Sequence, residues 1–156
     1  MTYGANAPNG FQPVRLITGS AWTGATNSYP ITSTYATALY KGDPVAQLND
    51  GTIGVGVAAA TILGVFWGCK YINSQGDVKF SPYWPANPGV LTGSTVEALI
   101  IDDPNVVYSV QETNAAGAAG TALALTDVNL NIDFLYTAGS AATGQSAVSL
   151  NNATED

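Results

Sequence analysis

Residues Tyr40–Ile72 read YKGDPVAQLNDGTIGVGVAAATILGVFWGCKYI, and this stretch decides the fold. Lys41-Gly42-Asp43-Pro44 is a turn: glycine supplies a permissive backbone, and proline fixes the next φ. Val45 to Leu48 reads as a strand, and Asn49-Asp50-Gly51 as a tight hairpin signal. Thr52 to Ala58 returns with a clean alternation, Ile53, Val55 and Val57 on one face and Thr52, Gly54 and Gly56 on the other. Ile62 to Ile72 differs from both. Leu63, Val65, Trp67, Cys69 and Tyr71 share one face; Ile62, Gly64, Phe66, Gly68 and Lys70 share the other. Both faces are apolar or small, which predicts a central strand covered on both sides. Gly64 and Gly68 leave room for another backbone or an aromatic ring to approach closely.

Short strands and turns continue in both directions. Toward the C-terminus, Asn73–Asp77 is a hairpin loop and Val78–Ser81 the returning strand. Pro82, Pro85 and Pro88 make the segment to Gly89 irregular. Val96–Asp102 and Val106–Thr113 are strands separated by Asp103-Pro104-Asn105, and Asn114–Gly120 is a flexible loop. Val128, Leu130, Ile132 and Phe134 alternate with Asp127, Asn129, Asn131 and Asp133, the pattern of a half-buried strand. A turn of helix near Asp127–Asn131 fits the same letters. Ala147–Leu150 is the last strand-like piece. Toward the N-terminus, Ser28–Tyr40 is rich in Tyr and Thr, which favour pleated structure. Gly19–Asn27 is a loop holding Trp22, and Val14–Thr18 is a short strand. Residues 1–13 have no period and read as an extended arm. The expectation is an all-β chain of eight to ten short strands: a small antiparallel β-barrel, or a sandwich domain, with long loops. Residues 1–13 form the arm, 14–150 a single domain and 151–156 a polar tail.

Charge narrows the function classes. Only 10% of the 156 residues are charged, well below the usual ~25%. The surface is therefore built from small polar side chains, which suits a chain largely covered by partners or one that is extended and loop-rich. All four basic residues (Arg15, Lys41, Lys70, Lys79) lie before residue 80, while eight of the eleven acids follow it. No basic footprint exists to neutralise phosphates, which argues against direct nucleic-acid binding. An acidic half beside a near-neutral half suits a protein that lies on another protein; the plainer reading is that the acids keep a low-charge chain soluble. The sequence has no histidine and one cysteine, Cys69. That removes His-activated nucleophiles, most zinc sites and an intrachain disulfide. The N-terminal residues lack a basic, then apolar, leader pattern, and no apolar run reaches ~18 residues, so neither a secretory signal nor a membrane helix is expected.

Several short motifs imitate chemistry. Gly54-Val55-Gly56-Val57-Ala58-Ala59 matches a dinucleotide fingerprint in letters, but its glycines sit inside an alternating strand rather than at a helix start. Asp127, Asn129, Asn131 and Asp133 offer calcium-loop oxygens, yet Ile132 stands where the sharp-turn glycine belongs and Ala138 where the bidentate Glu belongs. Asp102-Asp103 is a carboxylate pair whose setting favours a turn over acid–base work. Cys69 lacks a histidine partner and reads as a small core residue. Asn152-Ala153-Thr154 matches a glycosylation sequon, which means nothing without secretion. The expectation is no catalytic residue, cofactor or metal. Tyr83-Trp84, held between Pro82 and Pro85, is a rigid aromatic pair that serves either as an interface anchor or as the cap of an open barrel end.

One ordered run of motifs carries a resemblance. Gly42-Asp43-Pro44-Val45 is followed by a Gly-rich strand, Leu63–Cys69 (LGVFWGC), Phe80–Pro85 (FSPYWP) and Asp102-Asp103-Pro104, after an opening Tyr3-Gly4 … Gly10-Phe11-Gln12-Pro13. Over roughly residues 1–140 the chain resembles the capsid decoration, or cement, proteins of tailed bacteriophages. The resemblance implies a β-barrel or tulip-like core with extended arms and a non-enzymatic role on the outside of the icosahedral head. It implies a major capsid protein as partner, self-association as a dimer or trimer, and a place on the virion exterior after synthesis in the bacterial host cytoplasm. It implies neither nucleic-acid nor membrane contact. Candidate partner contacts are Phe11, Arg15, Trp22, Tyr83 and Trp84. The chain departs from the family in lacking an apolar closing strand before its polar end, Asn151–Asp156.

Overall fold

The computed structural model describes residues 6–58, 60–114, 116–118 and 123–152. Residues 1–5 of the expected arm, parts of the 114–120 loop and residues 153–156 of the expected tail lie outside them. Thirteen strands are present among the described residues: β1 Gln12–Leu16, β2 Asn27–Ile31, β3 Leu39–Tyr40, β4 Pro44–Gln47, β5 Ile53–Val55, β6 Ile62–Ile72, β7 Val78–Ser81, β8 Tyr83–Trp84, β9 Val96–Ile101, β10 Val106–Ser109, β11 Glu112–Thr113, β12 Phe134–Leu135 and β13 Ser149–Asn151. One short 3-10 turn, Leu125–Asp127, is the only helical element among the described residues. The chain is all-β, as expected.

β6 is the spine. β9 pairs antiparallel along one of its edges, while β4 takes the first half of the other edge and β7 the second half. β2 extends the sheet beyond β9, and β5 extends it beyond β4. Gly64 permits the closest contact of the spine, because a Cβ there would land on the Ile101 carbonyl oxygen.

The strict alternation read along β6 does not survive. The register with β9 shifts between Phe66 and Gly68, with Trp67 as the extra residue. A bulge of this kind rotates the following side chains by one position. Phe66 and Cys69, assigned to opposite faces by parity, therefore share one core with Leu39, Val45, Trp84 and Ile100. Val65 turns to the other face and joins Ile101 and Val106 in a second core under the β1–β10 pair. Both faces of the spine are covered, in two layers.

Among the described residues no sheet closes into a barrel. β2 and β5, the two ends of the large sheet, approach each other without backbone pairing. Pro30 in β2 has no N–H to donate, which suits an edge strand. Side chains join the two ends instead: the Thr32 and Thr52 hydroxyls lie 3.2 Å apart. The open, layered arrangement is compatible with a sandwich.

Backbone hydrogen bonds tie both ends of the described chain to the sheets. The Gly10 N–H donates to the Val148 carbonyl at 3.2 Å and the Phe11 N–H to the Gly42 carbonyl at 2.9 Å, so the end of the predicted arm is woven into the fold. Asn151 and Asn152 also belong to it, donating to the Asp133 and Thr113 carbonyls at 2.8 and 3.0 Å. β13, though short, pairs with β11 and β12. The half-buried strand expected over 127–134 is absent except for β12. Val128 and Leu130 are exposed after the 3-10 turn, and among the described residues no strand pairs with that segment. The proline-rich segment, expected to be irregular, contributes β8, which pairs with β3.

Candidate functional site

The Lys41–Pro44 turn lies where three segments cross. The Lys41 N–H donates to the Gly144 carbonyl at 3.1 Å, the Ser146 N–H to the Lys41 carbonyl at 3.0 Å, and the Gly42 N–H to the Phe66 carbonyl at 2.8 Å. Asp43 is fully buried beneath them. One carboxylate oxygen accepts the Tyr40 N–H at 2.8 Å, while Oδ1 has no hydrogen-bond partner. Burial pushes the Asp43 pKa up to about 6, against the smaller opposing pull of the Ser146 hydroxyl and the Tyr40 amide. Tyr136 responds in turn: burial, and then the Asp43 charge, raise its phenol to about 12.

A cleft of about 310 Å³ opens beside the second core. Phe11, Ile62, Val65, Ile101, Val106 and Phe134 supply apolar walls, and Asp102, Asp103 and Tyr108 add the polar groups. Asp102 is held on one side by β2. The Tyr29 hydroxyl donates to it at 2.7 Å, and Asn27 Nδ2 donates to both its oxygens at 2.9 and 3.0 Å. The Tyr29 bond is the largest cause of its lowered pKa, with Asn27 adding to it. A carboxylate satisfied by these donors stays ionised and is a poor proton donor. The exposed Asp103 accepts the backbone and side-chain N–H groups of Asn105, both at 2.9 Å, which locks the turn after β9. Burial, then the charges of Asp103 and Asp102, push the Tyr108 phenol up to about 12. The cleft is thus apolar with a negative edge, an arrangement suited to recognition by shape and charge.

The five predicted contact residues part company in the structure. Trp84 is fully buried, which corrects its assignment to the surface. Its ring packs edge-on to Tyr71 and its Nε1–H donates to the Tyr35 carbonyl at 2.9 Å, because β8 pairs with β3 and turns the indole inward. Tyr83 is half-buried and stacked on Tyr40, with ring centroids 5.7 Å apart. Trp22 is half-buried too; it meets Trp67 edge-on at 5.0 Å, and Lys41 Nζ lies 3.9 Å over the Trp67 ring. Phe11 is a cleft wall, edge-on to Tyr108 and Phe134. Arg15 alone of the five is exposed.

Sequence reasoning passed over the most exposed apolar side chains. Leu125 is 89% exposed, Phe80 75% and Ile17 68%. For Phe80 a signal was present, since Val78 and Phe80 alternate with Lys79 on a strand that can have only one paired neighbour at a sheet edge. The remaining motifs stay structural. Cys69 is buried, and burial pushes its thiol up to about 12. Gly54 lies within β5, where its missing side chain admits the Tyr35 hydroxyl. Among the described residues no group of three or more acidic or cysteine side chains is placed to hold a metal ion, and no helix is long and apolar enough to cross a membrane. No protein-family model matches the chain, and no curated protein or solved structure matches it either.

Proposed function

We propose that this chain is a non-enzymatic structural protein of a bacteriophage virion, one that binds the outer surface of the capsid and stabilises it by bridging major capsid protein subunits. It self-associates as a dimer or trimer, contacts neither nucleic acid nor membrane directly, and joins the virion exterior after synthesis in the bacterial host cytoplasm. The observation that carries the reading is the combination of large exposed apolar side chains, Ile17, Phe80 and Leu125, with a chain of which only 10% is charged. Phe80 shares one exposed face of β7 with Val78, two residues away, and an apolar face with few charges around it favours contact with another protein. The motif run from Gly42 to Pro104, which resembles capsid decoration proteins, supports the same reading, as does the structural use of Asp43, Cys69, Asp102 and Asp103. Repetition over a capsid lattice turns modest contacts into stable attachment through avidity.

The test is a reconstruction of intact particles together with labelling of the protein on the virion. Ordered copies over capsid subunits are expected. Label on tails or fibre bases alone overturns the capsid assignment, and glycan hydrolysis lost on changing Asp102 or Asp103 overturns the non-enzymatic one.

A further inference from the structure

The cleft has two carboxylates at its edge and no basic residue in its lining. Most of the basic side chains are already matched. Lys70 pairs with Glu97 at 3.5 Å, Lys79 with Asp77 at 3.7 Å, and Lys41 lies over Trp67. Arg15 alone has neither an acidic nor an aromatic partner among the described residues; its Nη1 reaches only the Leu16 carbonyl, at 3.4 Å. It stands on a small hairpin closed by the Leu16 N–H donating to the Ser20 carbonyl at 2.8 Å and by backbone pairing of Arg15 with Ala21. Val14 and Ile17, on either side of Arg15, are 55% and 68% exposed. One molecule therefore carries an apolar cleft with a negative edge and an apolar projection with one unmatched positive charge. The two lie side by side, because the Ile17 N–H donates to the Asn105 carbonyl at 2.8 Å, just past Asp103-Pro104.

We propose that the hairpin over residues 14–21 of one copy seats in the cleft of a second copy, with Ile17 entering the apolar part and Arg15 meeting Asp103. Adjacent plug and socket on one face let two copies exchange hairpins across a two-fold axis, each filling the other's cleft. Burying Ile17 and the cleft walls supplies the attraction, and the Arg–carboxylate contact fixes the register and excludes a reversed seating. The idea rests on the self-association in the proposed function and names its surface.

The test is sedimentation equilibrium of the full chain from micromolar to millimolar concentration. A reversible dimer is expected. Asp103→Asn raises its dissociation constant about tenfold, as loss of a charge pair at an interface does, and Arg15→Asp, which sets two carboxylates against each other, raises it further. Asp103→Asn keeps the oxygen that Asn105 uses, so the turn survives. Ile17→Asp abolishes association. A monomer at every concentration overturns the proposal, as does a dimer indifferent to these changes. Particle binding is measured in parallel. Monomers that still coat capsids overturn the hairpin contact and spare the capsid reading; dimers that leave capsids bare do the reverse.

Discussion

Replacing Asp43 with asparagine tests the physical account of the turn where the chain segments cross. The carboxyl is fully buried with one unpartnered oxygen, and its pKa rises from 3.8 to about 6 on folding. A raised folded-state pKa means that the neutral acid is the form the fold prefers. Its contribution is fully present below about pH 4 and is lost as pH rises through about 6. A shift of about two units corresponds to roughly 3 kcal/mol, so at pH 8 the ionised wild type carries a penalty of that order. The asparagine side chain has nearly the same shape, keeps an oxygen for the Tyr40 N–H and cannot ionise. Its amide brings two N–H groups that need acceptors, and each unmet one costs about 1–3 kcal/mol. With one of them met and the other at the low end of that cost, the expected net gain at pH 8 is about 2 kcal/mol, or roughly 4–8 °C in Tm for a domain of this size. The assay is urea and thermal unfolding of both proteins at pH 4.5, 6 and 8. Comparing variant with wild type removes the opposite trend from groups such as Asp50 and Asp102, whose lowered pKa values give stability lost as pH falls. The reasoning fails if Asp43→Asn is no more stable than wild type at pH 8, or if the difference between them does not grow from pH 4.5 to pH 8.

Three other substitutions or probes follow from the same contacts. Trp84→Ala removes the largest fully buried side chain and its hydrogen bond to Tyr35, and is expected to cost about 3–5 kcal/mol in denaturant titrations. Gly64→Ala places a methyl group against the Ile101 carbonyl where β6 meets β9, and a loss of about 1–3 kcal/mol is expected on chemical denaturation. Cys69 is expected to resist thiol reagents at pH 8 in the folded protein and to react at once in urea; fast labelling under native conditions contradicts its burial and raised pKa.

The sequence by itself determined the all-β class, the β4–β5 hairpin turn, the central strand and the two glycines where backbones touch it. These are local matters. Period-2 alternation, Asn-Asp-Gly chemistry and the placement of proline constrain a few neighbouring residues, and those constraints hold whatever the rest of the chain does. The same letters misled where a neighbour had to decide. Residues 127–134 alternate like a strand, but a strand needs a partner strand, and among the described residues none pairs with Val128–Leu130. Pro82 and Pro85 suggested an irregular loop, yet Tyr83-Trp84 pair with β3, far back in the chain.

Only tertiary structure decided the bulge at Trp67, which regrouped the core, and the burial of Trp84 that removed it from the surface. It also decided that Gly10 and Phe11 lie in the fold, that Asp43 is buried beneath a crossing of three segments, and that Asp102 and Asp103 edge a cleft walled by Phe11 and Phe134. Each is a relation between residues far apart in the chain. Packing, desolvation and register arise between elements, so residues that look alike in sequence diverge once their neighbours are fixed: Asp43 is driven toward the neutral acid, and Asp102 is held as the anion.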